Sequence, residues 1–384
     1  MVSAVYDHLL AIVIVGVMFV SAVVALPAMS LVSIKAVDQQ QLQNTALNVF
    51  NAMLLDTGQP VGWGSMRYFQ KNDPRVQRFG LASQSSSGFY VLDPDKVQRL
   101  VLTNPLNYCD YSRVRQLLGL QDYGFRFRII PPFNVTFLSP PTVAGDLLTY
   151  TAKVNYLDGG AIPNAVSEAT IVSTKGQNEF DITQSGTVRT DARGICNGTV
   201  KLGISDPDYY TVTLRVTVAD VATLVVTSEQ NFNNTIARIN IVYDTIILTS
   251  LKDPPNDNFK PNEDVRIDNI VAFGSDGSLW MLYDSQGKNS NDNMFNTGKG
   301  EFERWSSTFW GLHGFQPVVL IFNFWAVEQG RRQILIMMAY PELFGTTIFE
   351  YGGSPRSMGA TVRVQRSVLI SSMTYTAELW LWKE

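Results

Sequence analysis

The chain has 384 residues, 45% of them hydrophobic, 11% aromatic and only 17% charged, which places it outside the disordered class and allows two or three domains. With 30 basic against 34 acidic residues and no basic block, it carries no electrostatic footprint for nucleic acid. Two histidines and two cysteines exclude a His-pair zinc site or a four-cysteine framework within one chain, since His8 stands at the start and leaves His313 alone on the folded part.

Residues 9–26, LLAIVIVGVMFVSAVVAL, carry no charge, and Gly16 and Ser21 are the main interruptions. A run of this length predicts a membrane-spanning helix. Two alternatives stand beside it: a core helix buried on all sides, and a cleaved secretory signal, for which Ala25-Leu26-Pro27-Ala28 offers small residues near a cleavage point. Against cleavage, MVSAVYDH holds no Lys or Arg before the run. Past Pro27 the apolar positions Val37, Leu42, Ala46, Val49, Phe50, Met53 and Leu54 keep helical spacing. This predicts an anchor over 1–27 and a helical stalk over 28–57, with a possible kink at Pro27 and a stop at Gly58.

Residues 58–130 are expected to form a small α/β head segment. Asp93 before Pro94 predicts a helix over 94–103, Ser112 is a candidate cap for a second helix ending at Gly119, and Phe125–Ile130 alternates as a strand halted by Pro131-Pro132. Over 131–228 the period is two: Leu148, Tyr150, Ala152, Val154 and Tyr156 in one run, and Tyr210, Val212, Leu214, Val216 and Val218 in another, predict an antiparallel β-sandwich. Over 229–384 a further β-rich domain is expected to complete the head. There VVLIFNFWAV and QILIMMAY read as strands covered on both faces, Asp276-Gly277 as a hairpin turn, and Tyr375 to Leu381 as a closing strand.

The stretch YLDGGAIPNAVSEATI followed by TVRTDARG resembles bacterial and archaeal immunoglobulin-like surface modules. That resemblance implies a spacer or adhesion unit and nothing catalytic. An apolar helix running into an amphipathic one, followed by a β-rich head, resembles type IV pilins and pseudopilins. More closely, ALNVFNAMLLDTGQPVGWG, FGLAS, YVLDPDKVQRL and TYTAELWLWKE resemble uncharacterised archaeal, pilin-like, singly anchored proteins. The resemblance implies a mainly β protein with a long N-terminal α-helix, a pilin-like α+β head and an inserted sandwich. The chain departs from pilins in having no basic residue followed by Gly or Ala before the apolar run, and no acid at its fifth position.

Candidate chemistry is sparse. Asn134-Val-Thr, Asn197-Gly-Thr and Asn233-Asn-Thr are glycosylation acceptors, meaningful only outside the cytoplasm. Cys109 and Cys196 are either a disulfide of an oxidising exterior or two separate thiols. The acidic, Asn-rich loops 253–264 and 284–292 are either calcium loops or polar turns. Phe302, Trp305, Phe309, Trp310 and Phe315 form either an interaction surface for sugars or proteins or part of the core. His313 has no nucleophile motif beside it. The expectation is a non-enzymatic surface protein with no cofactor and no metal. Membrane lipid is its first partner, with self-association, other surface proteins or glycans as further ones, and the C-terminal part lies outside the cell.

Overall fold

The computed structural model describes residues 2–84, 90–102, 107–176, 179–228, 237–250, 264–274, 276–284, 294–296, 303–309, 312, 318–326, 333–340, 348–354, 360–370 and 373–384. The protein is mainly β and begins with one helix, α1 (Val2–Leu55), which passes Pro27 without a break. Its last turns bury Leu42, Ala46, Val49, Phe50, Met53 and Leu54. These recur three or four positions apart and so share one helix face.

In the segment that follows, β1 (Val91–Leu92) leads into α2 (Pro94–Gln98), which is capped by Asp93: its carboxylate accepts from the amide of Asp95. α2 is shorter than the expected 94–103, because residues 98–101 tighten into single turns, Leu100 N–H to Val97 O and Val101 N–H to Gln98 O. The next helix, α3 (Tyr111–Leu117), is capped by Asp110 and not by Ser112, whose hydroxyl donates to the Asp110 carboxylate at 2.8 Å. A carboxylate one residue before the helix reaches the Arg113 amide, which satisfies an otherwise open donor. β2 (Tyr123–Ile130) then enters the head sheet.

The chain crosses to a second body at the proline pair. β3 (Asn134–Ala144), β4 (Leu147–Asn155) and β8 (Ile195–Lys201) make one sheet in the order β3-β4-β8. β5 (Val166–Lys175), β6 (Glu179–Gln184), β9 (Tyr209–Val218) and β10 (Val221–Ser228) make a second, in the order β10-β9-β5-β6, with β7 (Val188–Arg189) pairing β5. All pairs are antiparallel. Leu148, Tyr150, Ala152 and Val154 from β4 meet Ala169, Ile171, Val212, Leu214 and Val216 in one core, the sandwich that the period-two pattern requires.

Beyond it, β11 (Ala237–Val242), β12 (Thr245–Ser250) and β16 (Glu303–Thr308) form a three-stranded sheet. β13 (Asp264–Gly274), β14 (Leu279–Asp284), β15 (Met294–Asn296), β17 (Val318–Ala326) and β18 (Gln333–Tyr340) form another, ordered β14-β13-β17-β18, with β15 on β13. The Asp276-Gly277 turn joins β13 to β14, with Gly277 at φ +89°. In β17 every residue from Val319 to Phe324 is buried. One face, Leu320, Phe322 and Phe324, packs with Ile241, Ile246 and Leu248; the other, Val319 and Ile321, packs with Val172 and Leu224 of the sandwich. Four sheets therefore stack, and the two inner ones are covered on both faces. That is why 169–174 of β5 and 318–322 of β17 read as continuous apolar or hydroxyl runs and not as strict alternation.

The chain then returns to the head through β19 (Phe349–Gly352), β20 (Thr361–Ile370) and β21 (Met373–Lys383). The head sheet is ordered β1-β20-β21-β2-β19, with β1 parallel to β20 and the other pairs antiparallel. Tyr375, Ala377, Leu379 and Leu381 face the lower half of α1. Among the described residues after 229, β19–β21 belong to this sheet, and the strands β11–β18 build the third and fourth layers of the stack.

Candidate functional site

The feature that stands out from the folded body is the upper part of α1. Leu10, Ile12, Val13, Ile14, Val15, Val17, Met18, Phe19 and Val20 are each 51–69% exposed. Eight of them are consecutive but for Gly16, and successive residues lie about 100° apart around a helix, so the apolar surface goes all the way round. Ser21 hides its polarity by donating to the Val17 carbonyl at 2.7 Å. An exposed apolar belt of this kind marks a surface that meets something other than water. The structure describes the side chains of 10–21 within the expected anchor over 1–27; those of 1–9 and 22–27 lie outside the described residues. Among the described residues no helix is long and apolar enough to cross a membrane.

The belt is held by a stiff seat. Where α1 ends, the Leu81 amide donates to the Met53 carbonyl at 2.8 Å and the Ala82 amide to the Asp56 carbonyl at 3.0 Å, so a passing loop segment takes up carbonyls that the helix leaves open. The Asp56 carboxylate accepts from the Gly58 amide at 2.8 Å and pairs with Arg78. Gly80 lies so close that a Cβ there would come within 2.1 Å of the Asp56 carbonyl oxygen. The fully buried Lys96 places its Nζ 2.9 Å from the Thr57 carbonyl and 2.7 Å from that of Ala82, with the Asp93 carboxylate at 3.6 Å. Burial pushes its pKa down against the pull of Asp93. A cation at a helix C-terminus also complements the helix dipole.

Arg99 does the same for the next loop, donating to the carbonyls of Gly64 and Met66 and lying 4.5 Å over the Phe69 ring. Asp95 accepts from the Ser65 hydroxyl at 2.7 Å and from the Tyr243 amide at 3.1 Å, which ties the turn between β11 and β12 onto the head. These residues were not singled out from the sequence. Their signal was three charges, Asp95, Lys96 and Arg99, set among Val91, Leu92, Val97 and Leu100, a pattern that an exposed short helix would share.

The remaining candidates are scattered. Cys109 and Cys196 are both free and buried, in the head core and the sandwich core respectively, so the disulfide alternative is not formed. Burial pushes the Cys109 thiol up to about 12 and raises that of Cys196. Phe309 packs against the core between the third and fourth sheets, which gives it a structural role. Trp305 sits on β16 opposite Leu248, with its side chain outside the described residues, as are Phe302, Trp310, His313 and Phe315. Of the two acidic loops, 253–263 and 285–292 also lie outside them; Asp284 ends β14 and accepts from the Asn269 amide at 3.2 Å. Among the described residues no group of three or more His, Cys, Asp or Glu is placed to hold a metal ion. Asn134 and Asn197 lie on strands of the sandwich; Asn233 is outside the described residues.

No family model and no curated protein matches the chain. Among solved structures it is similar to trypsin-activated alpha-2-macroglobulin from Escherichia coli, with a TM-score of 0.22, 10% identity, and 61% of this chain and 19% of that one covered. It is also similar to dimeric latent PorU from Porphyromonas gingivalis, with a TM-score of 0.19, 9% identity, and 62% and 25% covered. A third is human GIVD cytosolic phospholipase A2, with a TM-score of 0.12, 7% identity, and 68% and 32% covered. The chain thus spans about a fifth to a third of the length of these proteins, and likenesses this weak carry no argument about function.

Proposed function

We propose that the protein is a non-enzymatic cell-surface structural or interaction protein, anchored in the membrane by the upper part of α1, with the β-rich body displayed outside the cell. The observation that carries this reading is the belt of nine exposed apolar side chains between Leu10 and Val20. Leaving such a belt in water costs roughly 25 cal/mol for each Å² of apolar surface. Lipid, or the same helix of neighbouring copies, removes that cost. The helix that emerges from one face of a mixed, mostly antiparallel sheet, and the return of the C-terminal strands to that sheet, support the pilin-like form of the reading, in which α1 helices pack side by side.

The test is fractionation of the cells that encode the protein. The full chain is expected in membranes that survive an alkaline carbonate wash, to be released by detergent, and to lose its β-rich body to protease added outside intact cells. Recovery of the full chain in the soluble fraction would overturn the anchor; protection of the body from external protease would overturn its exposure. For lateral packing, Val13→Cys is expected to give a cross-linked dimer in membranes under mild oxidation, and a chain that stays monomeric would remove self-association.

A further inference from the structure

Two of the three glycosylation acceptors, 63 positions apart in sequence, come together on one face of one sheet. β3 and β8 are the outer strands of the sheet β3-β4-β8, and each carries one Asn-x-Thr. Asn134 stands opposite Asn155 and Thr136 opposite Lys153; Asn197 stands opposite Thr151 and Thr199 opposite Thr149. Because side chains alternate along a strand, Asn and Thr two residues apart share a face. The residues between and beside them, Val135, Leu148, Tyr150, Ala152 and Cys196, point into the sandwich core. The acceptors therefore lie on the outer face, the end of the four-layer stack that no other sheet covers among the described residues.

The two positions differ. Asn197 and Thr199 are exposed, whereas Asn134 is half-buried. Thr151 donates its hydroxyl to the Asn197 carbonyl oxygen at 2.9 Å, a bond that does not use the amide nitrogen, the atom that glycosylation uses. The middle residue has a separate explanation: a Cβ at position 198 would come within 2.1 Å of the Tyr150 ring, so Gly198 is required by the core while Asn197 and Thr199 are not.

We infer that the outer face of the β3-β4-β8 sheet is a glycan-bearing face, with Asn197 as its principal acceptor and Asn134 as a secondary one. The co-reactant is an oligosaccharide linked through phosphate or pyrophosphate to a membrane lipid. The Asn197 Nδ2 forms a bond to C1 of the first sugar, the C1–O bond to the lipid phosphate breaks and its electron pair leaves with the phosphate, and the amide gives up one proton to a base. A glycan there would also stand over β8, which among the described residues is an edge strand, the kind of strand that invites pairing with other chains.

This inference rests on the exterior location proposed above, and the experiment separates the two. Protein isolated from the cells that encode it is digested, and the peptides containing Asn134 and Asn197 are weighed, while external protease reports exposure of the body in the same cells. The expected result is a sugar mass on most copies of the Asn197 peptide and on fewer copies of the Asn134 peptide. Asn197→Gln and Thr199→Ala should each remove the larger part of the added mass from the intact chain, and Thr199→Ser should keep it. Asn134→Gln should remove the smaller part. An externally exposed body with both peptides unmodified, or with Asn134 the more occupied, would overturn the inference while leaving the location intact. A protected body with both peptides unmodified would overturn both.

Discussion

The ammonium of Lys96 lies 2.9 Å from the carbonyl oxygen of Thr57, joining a short helix of the head to the residue two positions beyond the end of α1. The ammonium is fully buried, as is its bond to the Ala82 carbonyl, while Thr57 is half-buried, so the contact matters more for what its loss would strand than for its own strength. Lys96→Met keeps the length of the stem and removes the donors. Two carbonyls, Thr57 and Ala82, lose their partner, and the head is expected to lose about 2–4 kcal/mol. Urea unfolding of the body should show this as a lower midpoint with an unchanged slope. An unchanged midpoint would mean that the ammonium is incidental to the seat.

Gly80 offers a check on the same junction from the backbone. Because a Cβ there would meet the Asp56 carbonyl at 2.1 Å, Gly80→Ala must push the segment at 80–82 away from the end of α1. Overpacking of this kind typically costs about 1–3 kcal/mol. The Leu81 amide, now bonded to Met53, should exchange with deuterium faster in the variant while amides of the sandwich keep their protection.

Much of this architecture was written in period and punctuation. Tyr375 to Leu381 alternate, and they line the head core as alternation demands; Phe50 and Met53 keep helical spacing, and they sit against that sheet. The layering of the last third was less legible. Val319 to Phe324 announces a strand covered on both faces but not what covers it, and only the folded chain shows Val172 of the sandwich on one side and Ile246 on the other. The seat of α1 was illegible for a different reason. Lys96 and Arg99 resemble surface charges in sequence, and their burial depends on carbonyls contributed by residues 14 to 39 positions away.

Asp73 gives the stability of the head a dependence on pH. Its carboxylate takes a forked contact from Arg75, at 2.9 and 2.6 Å, and accepts the amides of Gln70 and Arg75, each at 3.0 Å. The Arg75 guanidinium, the largest influence, holds the carboxyl well below the usual range. An ordinary Asp in the unfolded chain titrates near ~3.9. The folded state therefore binds its proton later, and the contribution is complete above the unfolded value and disappears as the pH falls below it toward the folded one. Asp73→Asn should cost about 1–2 kcal/mol at neutral pH, allowing for the exposure of Arg75, and progressively less as the pH drops below about 4. A deficit that stays constant down to pH 3 would assign the effect to packing.

The free cysteines predict a labelling pattern. Cys109 lies in the head core with its thiol pushed up to about 12, and Cys196 sits buried in the sandwich with its thiol also raised. At pH 8 both are almost wholly protonated and shielded, and the thiolate is the reactive form. Native protein should leave both unmodified by a thiol reagent over the time in which the denatured, unreduced chain takes up two equivalents. Fewer than two under denaturing conditions would revive the bridge that the two separate cores argue against.

The apolar belt between Leu10 and Val20 sets how strongly the chain should respond to a charge placed in it. A basic side chain in the middle of a membrane helix costs about 3 kcal/mol on insertion scales, and every 1.4 kcal/mol is roughly tenfold in an equilibrium. Ile14→Arg should therefore shift the chain away from carbonate-washed membranes by about a hundredfold. Gln40→Arg, on the same helix at an exposed polar position, should leave the distribution unchanged. The two substitutions add the same charge, so overall electrostatics cannot explain a difference between them. Urea midpoints of the body should be equal in both variants, because Ile14 is 51% exposed and Gln40 is exposed, away from the core built on Leu42 to Leu54. If Ile14→Arg remains with the membranes as fully as the parent, lipid is not what the belt meets, and cross-linking through position 13 becomes the measure of whether a second copy covers it.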